Sequence, residues 1–461
     1  MPADSSLRLL NQILPRLQRE FAALPPYAPE ENYAGADERM AAVLAGISGR
    51  MADNFPYFHP LYAGQMMKPP HPIARAAYAM AMWINPNNHS LDGGRASSRF
   101  EVESVREIAG MFGWRQYLGH LTSGGTVANL EALWVAGQLA PGKRVVASAQ
   151  AHYTHSRISG VLGIGFTAIA TDIRGCMDVA ALREELAGGD VGTVVVTLGT
   201  TAVGSVDPLD RVLDLRREYG FRIHVDAAYG GYFKLVANLD RDAAQAFACM
   251  EEADSIVVDP HKHGLQPYGC GCVIFRDPSV GHFYKHDSPY TYFSSEDLHL
   301  GEISLECSRA GAAAVALWAT QRLLPLVKDG EFARSLAKCR AAALRMHELI
   351  LGDERFIAPF APEMDILVWA VRGQSLNESS RIAQKIFAEA AKRDLHLALA
   401  QIPVRFFPGG TWLEAGLDDT VTCLRSVLMK PEHLDWVDRI WERLMAATDA
   451  AVHETTLREA R

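Results

Sequence analysis

The chain has 461 residues, of which 49% are hydrophobic and 21% are charged, and its formal net charge at pH 7 is −9. This composition is typical of a globular protein with a large core. No run of Lys and Arg is long enough to follow a nucleic-acid backbone, so we expect no nucleic-acid partner. We also expect no membrane partner, because no stretch of about 18 apolar residues occurs.

The N-terminus and the cysteines indicate a cytoplasmic protein. The first residues lack a basic start followed by an apolar run, so we expect no secretory leader. The seven cysteines are scattered, and Cys270 and Cys272 have no second cysteine pair at the spacing of a zinc site. We therefore expect reduced thiols, no metal site and a cytoplasmic location.

The N-terminal segment, 1–75, is predicted to contain a helix and an extended arm. Apolar residues recur at helical spacing over 5–23, with a kink expected at Pro15. Residues 24–72 are rich in Pro, Tyr, Asn and Gly, which is typical of an arm rather than of a separate domain.

The middle segment, 76–330, has the pattern of a mostly parallel sheet with helices on both faces. Helical stretches at 101–113 and 125–138 alternate with short runs that are rich in Val and Ile. These runs are apolar without alternation, as strands buried on both faces are, and their spacing leaves room for crossover helices. The strands are expected at 144–148, 166–170, 193–198, 222–225, 255–258 and 272–275.

The C-terminal segment, 331–461, is predicted to form a smaller α+β domain. Its pattern indicates helices and strands in alternation, at 332–351, 366–371, 379–393, 422–429 and 432–455. The fold class expected for the whole chain is therefore α/β, with a central sheet and an additional C-terminal domain.

Lys262 is the first candidate for chemistry. It follows the predicted strand 255–258 within the stretch 259–264, so we expect it at the carboxyl edge of the sheet. Open α/β sheets bind ligands at that edge. A lysine there can form an imine with a carbonyl cofactor, although a lone lysine after a strand is also an ordinary solvated loop residue.

Asp226 ends another predicted strand, 36 residues before Lys262. A carboxylate against a pyridine nitrogen keeps that nitrogen protonated, because an opposite charge favours the charged form. A protonated ring is the better electron sink, and Ala228 is small enough for a flat ring to lie against the sheet. An aspartate at a strand end can also cap a helix, but its pairing with Lys262 favours a pyridoxal phosphate site.

Three further groups of residues precede a predicted helix or follow a predicted strand. Thr122, Ser123 and Gly124 precede the helix at 125–138, where free backbone N–H groups can hold a phosphate, although the same pattern fits a plain turn. His152 follows the strand 144–148 and is a candidate to stack on a cofactor ring. Thr201 follows 193–198 and is a candidate donor to a ring oxygen.

These motifs resemble the group II pyridoxal-phosphate decarboxylases, which have the aspartate aminotransferase fold, or fold type I. Within that group, bacterial tyrosine decarboxylases are the most similar at 85–94, 119–136 and 304–319. The resemblance extends over about 80 to 310 and again near 425, and it is carried by 85–94, 121–130, 151–155, 197–208, 224–231 and 259–264.

The resemblance implies a role for each candidate residue. Lys262 would carry the cofactor as a Schiff base, Asp226 would pair with the pyridinium nitrogen, and His152 would stack on the ring. Arg425 matches the arginine that grips the α-carboxylate, and its planar guanidinium suits that task. His261, which precedes the lysine, matches a further site position.

The resemblance also implies a tyrosine on a loop, about thirty residues after the lysine, that protonates the α-carbon. Tyr290 is the expected donor, and Tyr292 is the alternative. Relatives that are aldehyde synthases replace either this tyrosine or the stacking histidine, so the presence of candidates for both favours decarboxylation to an amine.

The substrate stays open between two classes at this point. The aromatic arm residues 55–62 and the local resemblance favour an aromatic amino acid such as tyrosine. An acidic substrate, such as glutamate, aspartate or cysteine sulfinate, needs an extra cation, for which Lys68 or Arg95 is the candidate. A pyridoxal-phosphate lyase or aldehyde synthase is a third possibility, whereas a protein that only binds a partner is disfavoured by the presence of Lys262 and Asp226.

The resemblance finally implies a homodimer whose active site lies between two subunits. The segment 1–75 would then wrap around its neighbour.

Overall fold

The computed structural model describes residues 5–27, 37–285, 299–408, 411–412, 416 and 419–459. In this part of the chain, every helix is too short or too polar to cross a membrane. The helices are α1 Ser5–Glu20, α2 Asp37–Met51, α3 Pro72–Met82, α4 Leu91–Met111, α5 Gly125–Leu139, α6 Thr154–Leu162, α7 Val179–Leu186, α8 Leu209–Tyr219, α9 Arg241–Ala248, α10 Gly311–Leu323, α11 Glu331–Leu351, α12 Leu376–Ala391 and α13 His433–Glu459. The strands are β1 Leu118–Thr122, β2 Arg144–Ser148, β3 Phe166–Ile169, β4 Val191–Thr197, β5 Arg222–Asp226, β6 Ser255–Val258, β7 Gly271–Phe275, β8 Phe356–Ile357, β9 Ile366–Val371, β10 Ala398–Pro403 and β11 Thr420–Val427.

The large sheet has seven strands in the order β1-β7-β6-β5-β4-β2-β3. Only β7 runs against its neighbours, so the sheet is mostly parallel, as predicted. Asp226 pairs in register with Thr197 on β4 and with Val257 on β6. The carboxyl ends of these three strands therefore lie side by side at one edge of the sheet.

Each of the six strands predicted for the middle segment is present. Two of them, 144–148 and 255–258, have the predicted bounds. The strand β1 was not predicted, because its sequence LGHLT is short and carries a histidine and no Val or Ile. It nevertheless pairs with β7 along its whole length.

The prediction of an extended arm over 24–72 was wrong for part of that segment. Helix α2 occupies Asp37–Met51, with Asp37 and Glu38 in its first turn and Arg50 in its last. Acidic residues at the start of a helix and basic residues at its end interact favourably with the helix dipole. The Ala, Met and Leu residues between them are good helix formers. Local helix propensity therefore outweighs the average composition of the longer segment.

A second, four-stranded antiparallel sheet follows residue 330, in the order β10-β11-β9-β8. Helices α11, α12 and α13 bury a separate apolar cluster against it, in which Trp369 is fully buried. This arrangement fits the predicted α+β segment, while the exact limits 1–75, 76–330 and 331–461 remain a prediction.

The arm after α2 is tied to this second sheet. The N–H of Ala63 donates to the carbonyl of His396 over 2.9 Å, and the N–H of Val427 donates to the carbonyl of Ala63 over 2.8 Å. The ring of Tyr62 packs edge-on against Tyr57 with a centroid distance of 4.8 Å. The arm therefore lies between the two sheets as part of the folded chain.

Candidate active site

The strands of the large sheet end around one cavity with a volume of about 390 Å3. Chain segments that follow β1, β2, β4, β5 and β6 form its wall, because parallel strands direct their carboxyl ends to the same edge. Its lining consists of Ser123, Gly124, Gly125, Thr126, Val127, Asn129, His152, Tyr153, Thr154, Thr197, Gly199, Thr201, Asp226, Ala228, Tyr229, Asp259, His261 and Lys262.

The structure brings most of the predicted site residues together in this cavity. Those that line it are Ser123, Gly124, His152, Thr201, Asp226, Ala228, His261 and Lys262. Thr122 and Arg425 lie behind the lining. Tyr290 and Tyr292 lie outside the described residues, so the choice between them as proton donor stays a prediction.

Lys262 is fixed by an ion pair that was not predicted. Its Nζ lies 3.1 Å from Oδ2 of Asp259, and its side chain is 22% exposed. Asp259 is 2% exposed, and its other oxygen, Oδ1, has no hydrogen-bond partner among the described residues. The backbone N–H of Lys262 also donates to the carbonyl of Asp259 over 2.9 Å. This turn directly after β6 therefore holds the amine at the cavity wall.

Asp226 presents a buried carboxylate at the end of β5. Its Oδ1 accepts the N–H of Ala228 over 3.1 Å, and its Oδ2 lies 2.8 Å from Nε2 of His155. Burial by itself raises the pKa of Asp226, but the hydrogen bond and charge of His155 outweigh burial and hold that pKa below its ordinary value. The carboxylate is therefore ionised, and the imidazole donates to it.

His155 is a functional neighbour that the sequence analysis missed. It lies in the first turn of α6, three residues after His152, and it is fully buried. The signal was a second histidine within the same motif, but nothing in the sequence connects it to a carboxylate 71 positions away. Its Nδ1 is buried without a hydrogen-bond partner among the described residues.

His224 and Asn129 extend this buried group behind Asp226. Nε2 of His224 lies 2.7 Å from Oδ1 of Asn129, and its Nδ1 lies 2.9 Å from Oγ of Ser255. Burial lowers the pKa of His224 to about 3, so its ring is neutral at physiological pH. Asn129 lines the cavity and donates from Nδ2 to the carbonyl of Gly125 over 2.9 Å.

His152 and His261 lie on the cavity wall as neutral rings. Nδ1 of His152 lies 2.7 Å from Oγ1 of Thr154, and its ring stacks on Tyr153 with a centroid distance of 4.4 Å. Nδ1 of His261 lies 2.8 Å from the carbonyl oxygen of Cys270. Burial lowers the pKa of both imidazoles. The hydrogen bond at Nδ1 holds each of the two rings in place.

The start of α5 has the features of an anion site. Gly124 is its N-cap and supplies no side chain to bond the first backbone N–H groups. A Cβ atom on Gly125 would lie 2.7 Å from Oδ2 of Asp259, so this position needs glycine for the close approach. Thr122 hydrogen-bonds the backbone of Gly124, and Ser123 donates its N–H to Oε2 of Glu306 over 2.8 Å.

Arg425 lies behind Thr201 rather than in the lining of the cavity. It is 4% exposed, and its guanidinium donates to the carbonyls of Thr201 over 2.7 Å, Ala202 over 2.9 Å and Gly64 over 3.2 Å. The arginine thus joins the loop after β4, the arm and β11. Its role as the substrate carboxylate ligand stays a prediction.

The cavity fits pyridoxal phosphate in the chemistry of its donors. A primary amine suits the aldehyde, a buried ionised carboxylate suits the pyridine nitrogen, and an uncapped helix start suits the phosphate. In this fit, Lys262, Asp226 and the 123–126 turn would hold the group, with His152 over one face.

Comparisons with known proteins agree with this fit. A family model described as the pyridoxal-dependent decarboxylase conserved domain matches residues 131–372, which is more than half of the chain. An L-tyrosine decarboxylase of Enterococcus faecium is 26% identical, with 89% of this chain and 88% of that protein covered. A Halobacterium salinarum protein named "Probable L-aspartate decarboxylase" is 31% identical, with 56% of this chain and 70% of that protein covered.

Solved structures show the same fold. The crystal structure of Oryza sativa TDC with PLP and tryptamine has a TM-score of 0.76 and 20% identity, and the match covers 97% of this chain and 95% of that one. The predicted fold class, fold type I with a mostly parallel central sheet, is thereby confirmed.

Replacement of His155 tests the electrostatics of the carboxylate. His155→Ala removes the donor to Oδ2 of Asp226, and with it the hydrogen bond that most opposes the effect of burial, so the pKa of Asp226 rises. Loss of a hydrogen bond to a buried charge costs about 1.5–3 kcal/mol, and we expect cofactor affinity to fall by about 10- to 150-fold. His155→Gln, which keeps a donor, should recover part of the lost affinity.

Equilibrium dialysis of pyridoxal phosphate measures the affinity. His282→Ala is the control, because His282 is exposed. Equal affinity in His155→Ala and wild type would contradict the role of His155.

Replacement of Gly125 tests the close approach at the start of α5. In Gly125→Ala, the added Cβ overlaps Oδ2 of Asp259, and relief of such overlap costs about 1–3 kcal/mol. We expect about tenfold weaker cofactor binding in the same dialysis experiment. Gly110→Ala is the matched control, since its Cβ meets nothing within 4 Å. If both variants bind the cofactor like wild type, the tight packing at Gly125 has no role in the site.

Proposed function

The chain belongs to the pyridoxal-dependent decarboxylase family, and we propose that it converts an aromatic L-amino acid such as tyrosine to the corresponding amine and carbon dioxide. Its cofactor is pyridoxal phosphate, and its general activity is amino acid decarboxylation. The observation that carries the assignment as a pyridoxal-phosphate decarboxylase is the ionised carboxylate of Asp226. His155 holds this carboxylate at 2.8 Å, in the same cavity as the amine of Lys262.

When bound, pyridoxal phosphate supplies the electron sink that stabilises the carbanion left by departing carbon dioxide. In the proposal, Asp226 would face the pyridine nitrogen and favour its protonated form, and Lys262 would provide the amine that holds the aldehyde carbon. The neutral ring of His152 covers one face of the site and excludes water from it. Backbone N–H groups at the start of α5 bind the phosphate, with Ser123 and His261 beside them.

The proposal assigns substrate orientation to Arg425 and the final proton transfer to Tyr290. A guanidinium that grips the α-carboxylate would fix the orientation of the bond to be broken. Arg425 is adjacent to the cavity, because its guanidinium donates to the carbonyl of Thr201, which lines the cavity. Tyr292 is the alternative donor to the α-carbon.

The preference for an aromatic substrate rests on charge as well as on similarity. Lys262 is the only Lys or Arg among the described residues that line the cavity. Lys68 and Arg95, the candidate partners of a distal acid, are elsewhere: Lys68 lines a different cavity, and Arg95 is exposed. An acidic side chain would thus lack a counterion in the described wall. The arm aromatics pack on one another, so their presence does not favour an aromatic substrate.

A carbon dioxide release assay across the twenty amino acids, L-DOPA and cysteine sulfinate tests the substrate. With added cofactor, we expect release from tyrosine or another aromatic substrate, and loss to background in Lys262→Ala because the amine is absent. Release from acidic substrates alone would refute the aromatic proposal. Absence of release from every substrate by the cofactor-loaded wild-type protein would refute this activity for the tested substrates.

The proposed assembly is a homodimer, and helix α2 supports it. None of its 15 residues is buried, and Val43, Leu44 and Ile47 are each at least 50% exposed. An exposed apolar face of this kind marks an interaction surface, and the homodimer implied by the sequence would cover it with a second copy.

Charged substitutions on α2 test the dimer. In Val43→Asp with Ile47→Asp, two carboxylates would be buried without partners, so we expect a monomer by light scattering and weaker cofactor retention. Val161→Asp is the control, because Val161 is 72% exposed on α6. A dimer of unchanged stability in the α2 variant would exclude that helix from the interface.

A further inference from the structure

A second cavity lies apart from the cofactor cavity and shares none of its lining residues. Its volume is about 440 Å3, and it lies between the arm, the start of α11 and the turn after β11. Its lining consists of Phe58, Lys68, Pro69, Pro70, His71, Pro72, Arg75, His263, Leu265, Leu324, Glu331, Phe332, Ser335, Leu336, Cys339, Lys430, Pro431 and Glu432. Neither the fold nor decarboxylation accounts for this second cavity.

Two lysines in the wall have no carboxylate partner. The ammonium of Lys430, which is 4% exposed, donates to the carbonyl of Tyr62 over 2.7 Å. The ammonium of Lys68 reaches only the carbonyl of Met429, over 3.4 Å. Among the described residues, neither lysine forms an ion pair within 4.0 Å, and the two glutamates of the wall are exposed.

A buried lysine without an opposite charge is costly, because desolvation disfavours its charged form. Burial and the nearby charge of Lys68 lower the pKa of Lys430 to about 7, and burial also lowers the pKa of Lys68. The negative charge of a bound anion would favour the charged form of both lysines and so raise both pKa values. The buried Lys430 and the half-buried Lys68 in one wall therefore fit a site for an anionic ligand.

His263 adds an unpartnered polar group to the same wall. It is fully buried, and its Nδ1 has no hydrogen-bond partner among the described residues. Its Nε2 lies 3.3 Å from Oδ2 of Asp365. A buried ring nitrogen without a partner normally marks a position at which a ligand or water bonds.

Most of the remaining wall is apolar, although polar side chains, among them those of Glu331 and Glu432, also line it. Phe332 and Leu336 on α11 are each 3% exposed, and Leu265 and four prolines also line the cavity. Proline and leucine side chains offer no hydrogen bonds, so they match a hydrocarbon body rather than a sugar or a free inorganic ion. The cavity thus combines an apolar wall with a cationic one.

We propose that the second cavity binds a small organic carboxylate, with the carboxylate at Lys68 and Lys430 and an apolar body against Phe332 and Leu336. The site is separate from the one that holds the cofactor, and it does not depend on which amino acid is decarboxylated.

Occupancy of this site would reach the proposed substrate arginine through the arm. Lys430 holds the carbonyl of Tyr62, and Arg425 holds the carbonyl of Gly64, two residues later. A ligand carboxylate at Lys430 would accept from the same ammonium that holds the carbonyl of Tyr62. The ligand would thereby act on one of the bonds that fix this stretch of the arm beside Arg425.

The test is calorimetric titration of the holoenzyme with 4-bromobenzoate, which has an apolar ring and a carboxylate but no amine. We expect binding by wild type, at least tenfold weaker binding in Lys430→Met and in Lys68→Met, and unchanged binding in Lys338→Met. Lys338 is an exposed lysine on α11 outside the cavity. In crystals, 4-bromobenzylamine, of similar shape and opposite charge, should place no bromine in the second cavity, whatever it does as an amine at the cofactor.

Anomalous diffraction from the bromine locates the ligand without any substitution, so the result does not depend on how well the variants fold. Bromine in the second cavity, beside Phe332 and Leu336, is the expected outcome. Bromine only in the cofactor cavity, binding of equal strength in all variants, or no binding at millimolar concentration would each overturn the proposal.

Discussion

A carboxylate that is buried and yet ionised, Asp226, is the constraint on which the arrangement around the cavity depends. Removal of a charge from water is costly unless hydrogen bonds and opposite charges compensate. Here the compensation comes from the N–H of Ala228 and from the imidazole of His155. The N–H of Ala228 belongs to the turn directly after β5. His155 lies on α6, so this helix must begin next to the carboxyl end of β5.

That requirement explains why the neighbouring strands align as they do. Asp226 lies in register with Thr197 and Val257, so the segments after β4 and β6 emerge beside it. The turn after β6 then brings Asp259 and Lys262 to the same edge, with their side chains 3.1 Å apart. A parallel sheet supplies these positions together, because each crossover helix returns the chain to the same end.

The sequence was sufficient to predict the parallel strands and the residues that directly follow them, including Lys262, Asp226 and His152. Apolar runs and strand ends are local signals, which a single sequence carries. The partners His155 and Asp259 were not predicted, because their roles depend on distances across the fold. Strands β8 and β10 were not predicted either: β8 has only two residues, and β10 reads ALAQIP, with a proline at its end. Arg425 was recognised by resemblance, but its three carbonyl partners come from segments far apart in the sequence.

The bonds between the arm and the C-terminal strands also have a consequence for synthesis. The contacts of Gly64 with Arg425 and of Tyr62 with Lys430 join positions 361 and 368 residues apart. Translation proceeds from the N-terminus, and domains fold as they emerge. The arm therefore leaves the ribosome first but docks last, after β11 has been made. Until then Tyr62, which is 4% exposed in the folded chain, lacks its contact with Lys430, and transiently exposed apolar surface of this kind favours aggregation during synthesis.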